Sequence, residues 1–385
     1  MIEFTFSEEQ DLIRRTVRDF VEKEVKPLAP QIDETKKIPS KLIEMAKELG
    51  LFGIKFPEEY GGAGAGETGY CIACEELGHG CGSLAALIGA HQSIGATAIY
   101  LAGSEAQKRK YLVPLAQGRL IGAYALTEPG AGSDAANIST TAVRYGNEWV
   151  INGQKIWITN GSIADVLVVY TVTDKRLRAR GGITAFIVER DFKGFKVGRS
   201  EDKMGIRASD SAQLFFEDMR VPNENVLGKV GEGFKVAMET LDHGRLSLAA
   251  NCIGASKEVL DMSIGFAKQR VQFGRPIAEQ EAIQWMIAEM AASIYAMESI
   301  VYRTAWMADR GMRFSRESAI VKMLCSEAAD EVIDKALQIH GGSGYMREYQ
   351  IERFYRDARV NRIFEGTNEI QRLVIARDVL KKGRY

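Results

Sequence analysis

EWVINGQKIWITNGSIADVLVVYTV (residues 148–172) is built from short β-branched and aromatic runs: Trp149-Val-Ile, Ile156-Trp-Ile and Val166-Leu-Val-Val-Tyr. The turn pairs Tyr145-Gly-Asn and Asn152-Gly punctuate it, and Ile183–Val188 and Leu214-Phe-Phe continue the same character downstream. This pattern predicts an antiparallel β-domain. On its C-terminal side the chain changes period. No proline follows Pro276, as long unbroken helices require. Ile283, Ile287, Met290, Ile294, Met297 and Val301 recur every three or four residues, and a second helix fits Ser318–Ile339 up to the stop at Gly341-Gly342. On the N-terminal side, Ser7 with Gln10 reads as a capping box ahead of Ile13, Val17, Phe20, Val21 and Val25, and apolar stretches at 70–77 and 84–101 also read as helices. The expected fold class is therefore α+β, with helices, a barrel-like antiparallel β-domain, then a helical bundle. The expected domains are 1–121, 122–233 and 234–385.

Composition narrows the function. Lys+Arg number 50 and Asp+Glu 51, which argues against a nucleic-acid partner. No apolar run reads as long enough to insert in a membrane. The N-terminus, MIEFTFSEEQ, is acidic and has no secretory pattern, so the expected compartment is the cytoplasm, or the mitochondrial matrix for a trimmed mature chain. Five cysteines, an odd and small number, suit a reducing interior.

Several motifs compete for the chemistry. Gly64–Gly69 matches GxGxxG but follows a polar turn instead of a buried strand, and reads as a flexible loop. Cys71-x-x-Cys74, near His79, Cys81 and His91, lacks a second ligand pair at zinc spacing and reads as buried small hydrophobes. No metal site is expected, no Gly-x-Ser-x-Gly elbow occurs, and His340 and His243 belong to no HExxH cluster. Tyr124–Asp134, with two glycines and two hydroxyls where the β-domain begins, either brings backbone N–H groups to anionic oxygens or is a plain turn. Trp157 is either β-domain core or a flat platform for a ring, with Thr159 on the same side of the strand. Glu365 follows Ile363-Phe364 and precedes Gly366-Thr367. It is either an exposed turn residue or a carboxylate whose apolar neighbours make it a better base.

Taken together and in order, YALTEPGAGSD (124–134), NGQKIWITNG (152–161), DKMGIRAS (202–209), RVQFGRPI (270–277), QIHGGSGY (338–345) and RDARVNRIFEGTNEIQR (356–372) resemble the acyl-CoA dehydrogenase family over essentially the whole chain. The resemblance implies an FAD enzyme that oxidises the Cα–Cβ bond of an acyl-CoA thioester to the trans-2-enoyl-CoA. Glu365 matches the family's base for the α-proton, and its backbone N–H matches a donor to the thioester oxygen, an oxyanion-hole role. Leu126 and Thr127, in the loop from Tyr124 to Ser133, look like neighbours of the flavin ring, and Ser133 also like a CoA contact. Trp157 and Thr159 look like the residues packing on and bonding the ring. Arg270, Phe273, Gln280 and the run containing Gln338, Gly341 and Gly342 look like contacts to the ADP half of FAD across a subunit interface. Gly366, Thr367 and Glu369 look like further cofactor contacts, Gly366 also like a substrate contact, and Asp242 and Arg245 like the pair near the CoA. Gly244 occupies the place where other members carry the base, and cannot serve. The family also implies a homotetramer, a dimer of dimers, passing electrons to electron-transferring flavoprotein.

Ala86, Gly89 and Ala90 fall where the family lines the acyl tail. Their small size implies a deep cavity and a straight-chain, medium-to-long fatty acyl-CoA, in the manner of the long- and very-long-chain branch. The chain ends at Gly383-Arg-Tyr385 without that branch's membrane-associated extension. Ala85 replaces the arginine of glutaryl-CoA members and speaks against a dicarboxylate. Rival readings are an acyl-CoA oxidase using O2, a member for short, branched or cyclic acyl groups, and an idle scaffold of the same fold.

Overall fold

The structure is a computed structural model that describes residues 5–383; Met1–Phe4 and Arg384–Tyr385, at the two termini read above, lie outside the described residues. The capping box closes as expected. Ser7 and Gln10 exchange side-chain and backbone bonds at the start of α1 (Glu8–Phe20), whose Val17 and Phe20 enter the core. Next come α2 (Gly66–Gly78) and α3 (Gly82–Gly89), the latter running on helically to Ala102. The expectation of no membrane-length apolar run needs correcting. Gly82–Ala102 is long and apolar enough to qualify, but two thirds of it is packed inside the protein. The segment 64–69 also differs from the expected loop. Gly66–Gly69 begins α2, because Asp309 accepts the N–H groups of Glu67 (2.6 Å) and Thr68 (3.1 Å) and so caps that helix end.

The middle holds an eight-stranded sheet: β1 (Gly122–Ala125), β2 (Thr141–Tyr145), β3 (Glu148–Thr159), β4 (Val166–Val172), β5 (Ile183–Glu189), β6 (Phe195–Ser200), β7 (Ser211–Pro222) and β8 (Val226–Leu227). The order is β6-β7-β3-β2-β4-β5-β8. It is not wholly antiparallel: β1 runs parallel to β4, and β2 touches β4 in parallel at Thr141. The reason is connectivity. β1 arrives from the helical layer and cannot reach β4 by a hairpin. Tyr145-Gly-Asn is the expected turn between β2 and β3, with Gly146 at φ +61. Asn152-Gly is not a turn. It lies inside β3 at a bulge, where Gly153 takes φ +147 and a Cβ would collide with Thr140.

The last third contains α4 (Gly233–Gln269), α5 (Glu281–Asp309) and α6 (Ser315–His340), then α7 (Ile351–Ala358) and α8 (Asn368–Lys382). The face predicted on α5 turns Met290, Ile294, Met297 and Val301 inward, and α6 stops at Gly341 with φ +56. One apolar core joins α1, α2 and α3 to the C-terminal helices, so the two helical segments are a single packed layer on which the sheet stands. Buried polar links fasten the joint. Asn160 Nδ2 donates to Leu87 O (2.9 Å), and the Gly122 N–H donates to His91 Nδ1 (2.9 Å). Burial pushes His91 down to about 4, so it stays neutral and can accept that bond. Cys71 and Cys74 are fully buried free thiols in α2, and burial raises both.

Candidate active site

A cavity of 750 Å³ opens where α3, α4, the sheet and the turn before α8 converge. Glu365 stands on its wall. The turn Phe364–Thr367 puts Glu365 at φ +54, a left-handed backbone that side-chain-bearing residues rarely hold. Its Oε2 is buried with no hydrogen-bond partner, although the residue as a whole is partly open to the cavity. Burial pushes its carboxyl up to about 7, against the opposing pull of Arg245 and Lys322. Gly244, at the same level on α4, leaves the room: a Cβ there would come within 3.0 Å of Glu365 Cδ and 2.7 Å of Ile94 Cγ2. Of the two sequence-level readings of Glu365, the exposed turn residue is the one that fails.

Beside it, Asp242 and Arg245 pair with each other. Arg245 Nη1 donates to Asp242 Oδ1 (3.0 Å), and Arg245 Nε donates to the Glu365 carbonyl (3.2 Å). Arg245 lines the cavity, whereas Asp242 lies behind it, a buried carboxyl raised by desolvation. Ala86, Gly89 and Ala90 of the α3 rod line another side, and a Cβ on Gly89 would meet nothing within 4 Å.

On the sheet side, Leu126, Thr127 and Ser133 line the cavity, as do Trp157 and Thr159. Their shared side is not simple strand alternation. A bulge between Lys155 and Ile158 puts Trp157 at φ +58 and turns its indole out, 60% exposed, onto the wall. Tyr124 borders the cavity too, but its hydroxyl donates to Ala237 O (3.2 Å) and its ring packs on Tyr170. Thr367 and Glu369 lie just outside: Thr367 Oγ1 accepts the Ile370 N–H (3.4 Å) as the cap of α8, and Glu369 is exposed in its first turn. Arg270, Phe273 and Gln280 sit on or beside an outlying hairpin, with Phe273 95% exposed, and Gln338, Gly341 and Gly342 at the exposed end of α6. The fold does not bring these six to the cavity of their own chain.

Sequence reasoning missed the pair beneath the 126–133 loop. Lys155 is fully buried in β3, and its Nζ donates to Leu126 O (2.9 Å) and Glu128 Oε1 (2.8 Å). Glu128 also accepts the N–H groups of Ser139 (2.6 Å) and Thr140 (3.0 Å), and is held down near 2 by Lys155 and these bonds in spite of its burial. The bond pins the loop's backbone to the strand. A lysine in an alternating β3 pattern was the one available signal.

Three family models match in register along the chain: the acyl-CoA dehydrogenase N-terminal domain over 7–119, the middle domain over 123–219 and the C-terminal domain over 231–380. The chain belongs to the acyl-CoA dehydrogenase family. It is 44% identical over 380 residues to the short-chain specific acyl-CoA dehydrogenase of Clostridium acetobutylicum, covering 99% of this chain and 100% of that one. A chain in the structure described as "Electron transferring flavoprotein of Acidaminococcus fermentans: Towards a mechanism of flavin-based electron bifurcation" superposes with TM-score 0.97, at 44% identity over 99% of this chain and 100% of that one. Butyryl-CoA dehydrogenase from Megasphaera elsdenii superposes with TM-score 0.96, at 40% identity over 98% and 100%. Two of these three carry short-chain names, so the expected likeness to the long- and very-long-chain branch is not what the comparisons return.

Acyl-CoA dehydrogenases are FAD enzymes, and this chain is an oxidoreductase of that kind. The residues present fit the cofactor. The exposed Trp157 indole gives a flat apolar face, Thr159 a hydroxyl beside it, and Gly130 and Gly132 open backbone where a Cβ would meet nothing.

Proposed function

We propose that this chain oxidises a short, straight-chain acyl-CoA to its trans-2-enoyl-CoA, with Glu365 as the base. The observation that carries this is the Glu365 carboxyl on the cavity wall, with a buried, unpartnered Oε2 and a pKa pushed to about 7. A carboxylate so placed gains by taking a proton, and its affinity is matched to neutral pH. Bound FAD supplies the acceptor for the β-hydride. Glu365 Oε2 takes the α-proton, and the Glu365 N–H is the donor the family places at the thioester oxygen. Arg245 holds the Glu365 carbonyl, so the base and that donor stay in one fixed turn. Trp157, Thr159, Leu126, Thr127 and Ser133 would hold the flavin end of the cofactor. Arg270, Phe273, Gln338, Gly341 and Gly342, all exposed, and the half-buried Gln280, none of which lines its own chain's cavity, would hold the ADP half of a partner's cofactor.

Asn251 lines the cavity, its Nδ2 donates back to Ser247 O (3.3 Å), and its Oδ1 is buried without a partner. Asn251 lies seven residues, about two helical turns or roughly 10 Å, beyond Gly244 along α4. A longer apolar tail would press on an unsatisfied carbonyl oxygen, which is costly. This agrees with the short-chain names of the relatives. The medium-to-long reading keeps one observation in its favour, the open space at Gly89.

A homo-oligomer accords with the outer face of α5, where Trp285, Tyr295 and Trp306 are exposed at helical spacing. Electron-transferring flavoprotein is the acceptor we propose. The test is anaerobic titration of the flavin-loaded protein with butyryl-, octanoyl- and palmitoyl-CoA. Bleaching of the flavin band, strongest with butyryl-CoA and lost in Glu365→Gln at unchanged flavin content, is expected. No bleaching with any of them would overturn the reading. Peroxide formed on turnover in air would instead favour an oxidase.

A further inference from the structure

The turn that carries Glu365 is strained, and such a backbone persists only where its surroundings over-determine it. Donors from three helices hold it. Arg245 of α4 and Gln371 of α8 donate to the Glu365 carbonyl, at 3.2 and 3.3 Å. Gln371 Nε2 also reaches the Gly366 carbonyl (2.8 Å). From α6, Lys322 Nζ donates to the same Gly366 carbonyl (2.8 Å) and to Asn368 Oδ1 (2.8 Å). Asn368 presents that oxygen because its Nδ2 is already committed to Ser326 Oγ (2.9 Å) and Glu327 Oε1 (3.1 Å).

Lys322 is the odd member. It is fully buried, does not line the cavity, and among the described residues forms no ion pair with a carboxylate. A cation solvated by two neutral oxygens is an expensive thing to bury. Its location gives the reason: both of its acceptors belong to the turn that carries Glu365 or to the cap of the helix that follows.

We propose that Lys322 is a positioning residue for the dehydrogenation, clamping Gly366 and Asn368 so that the Glu365 carboxylate is held ionisable at the cavity wall. This rests on the dehydrogenase reading above. The ionisable groups that face Glu365 are Arg245 on α4, Lys322 on α6, Cys74 on α2 and Tyr124 on β1. The thiol and the phenol are raised by burial and stay neutral, so only the two cations favour the carboxylate.

The experiment uses the FAD-loaded protein. Flavin reduction by butyryl-CoA is followed in stopped flow across pH for wild type and Lys322→Met. The limiting reduction rate is expected to fall about 10- to 100-fold, the range a misplacement of the reacting group produces. The half-saturating butyryl-CoA concentration is expected to stay within about threefold, since Lys322 does not touch the substrate. The acid limb of the profile is expected to move to higher pH, because one of two neighbouring cations is gone. Should the methionine variant fail to fold, Lys322→Gln, which keeps a donor without the charge, is read in the same way. A variant with the wild-type rate and an unmoved acid limb overturns the proposal. So does one that loses only flavin or stability while its limb stays put, since that is a merely structural role. A wild type that butyryl-CoA does not reduce would instead overturn the dehydrogenase reading.

Discussion

Gly244→Ala should separate activity from stability. The new Cβ would stand 2.7 Å from Ile94 Cγ2 and 3.0 Å from Glu365 Cδ, against an ordinary contact of 3.4 Å or more. Both obstructing groups are side chains, free to swing, so the overpacking cost should lie near the low end of the usual range of about 1–3 kcal/mol. Replacing glycine by alanine inside a helix returns about 1 kcal/mol. The fold should therefore change little in stability. Glu365 Oε2, however, is the atom nearest to the new Cβ, closer than Ile94 Cγ2 or Glu365 Cδ, so the carboxylate must retreat by about 1 Å, and a displacement of that size at a reacting group costs up to ~100-fold in rate. That loss corresponds to about 2.7 kcal/mol of barrier. The assay pairs the limiting rate of flavin reduction by butyryl-CoA with the thermal midpoint of the same preparation. A rate near wild type, or a rate that falls only in step with a collapsing midpoint, would refute the placement of the carboxylate against Gly244.

Three further outcomes are expected. Because burial raises Glu365 to about 7, kcat/KM should rise with pH, about tenfold per unit on the acid side, and level off above about 7; a profile flat from pH 5 to about 8 would contradict it. Lys155→Met strands the buried Glu128 and frees the Leu126 carbonyl, so the denaturant midpoint should drop by the equivalent of about 3–5 kcal/mol, with weaker flavin retention; an unchanged midpoint would show that the pair does not carry the loop. Asn251→Ala removes the amide from the cavity and should raise the ratio of octanoyl- to butyryl-CoA kcat/KM by about tenfold or more; an unmoved ratio would take chain-length control away from Asn251.

Where local physics decides, the chain is readable. Ser7 and Gln10 cap α1, the face of α5 from Met290 to Val301 turns inward, and Gly341 ends α6, because caps, periodicity and left-handed glycines act within a turn or two. The readings that failed depended on partners far along the chain. Gly66–Gly69 is helical because Asp309, some 240 residues later, caps it. Asn152-Gly is strand because Thr140 and β7 leave no room for a turn. Gly82–Ala102, missed as a membrane-length apolar run, is made a core rod by what packs around it. Ala86, Gly89 and Ala90 suggested a deep tail pocket, but Asn251 on another helix narrows that inference.

By itself the sequence determined the three-part α+β order and the family, because hydrophobic period and ordered motifs are written along the chain. Tertiary structure alone decided that the Glu365 carboxyl stands on a cavity wall with a buried Oε2 instead of exposed in a turn. Its pKa is set by burial and by Arg245 and Lys322, which reach it from helices about 120 and 43 positions away in sequence, and no local window contains that environment.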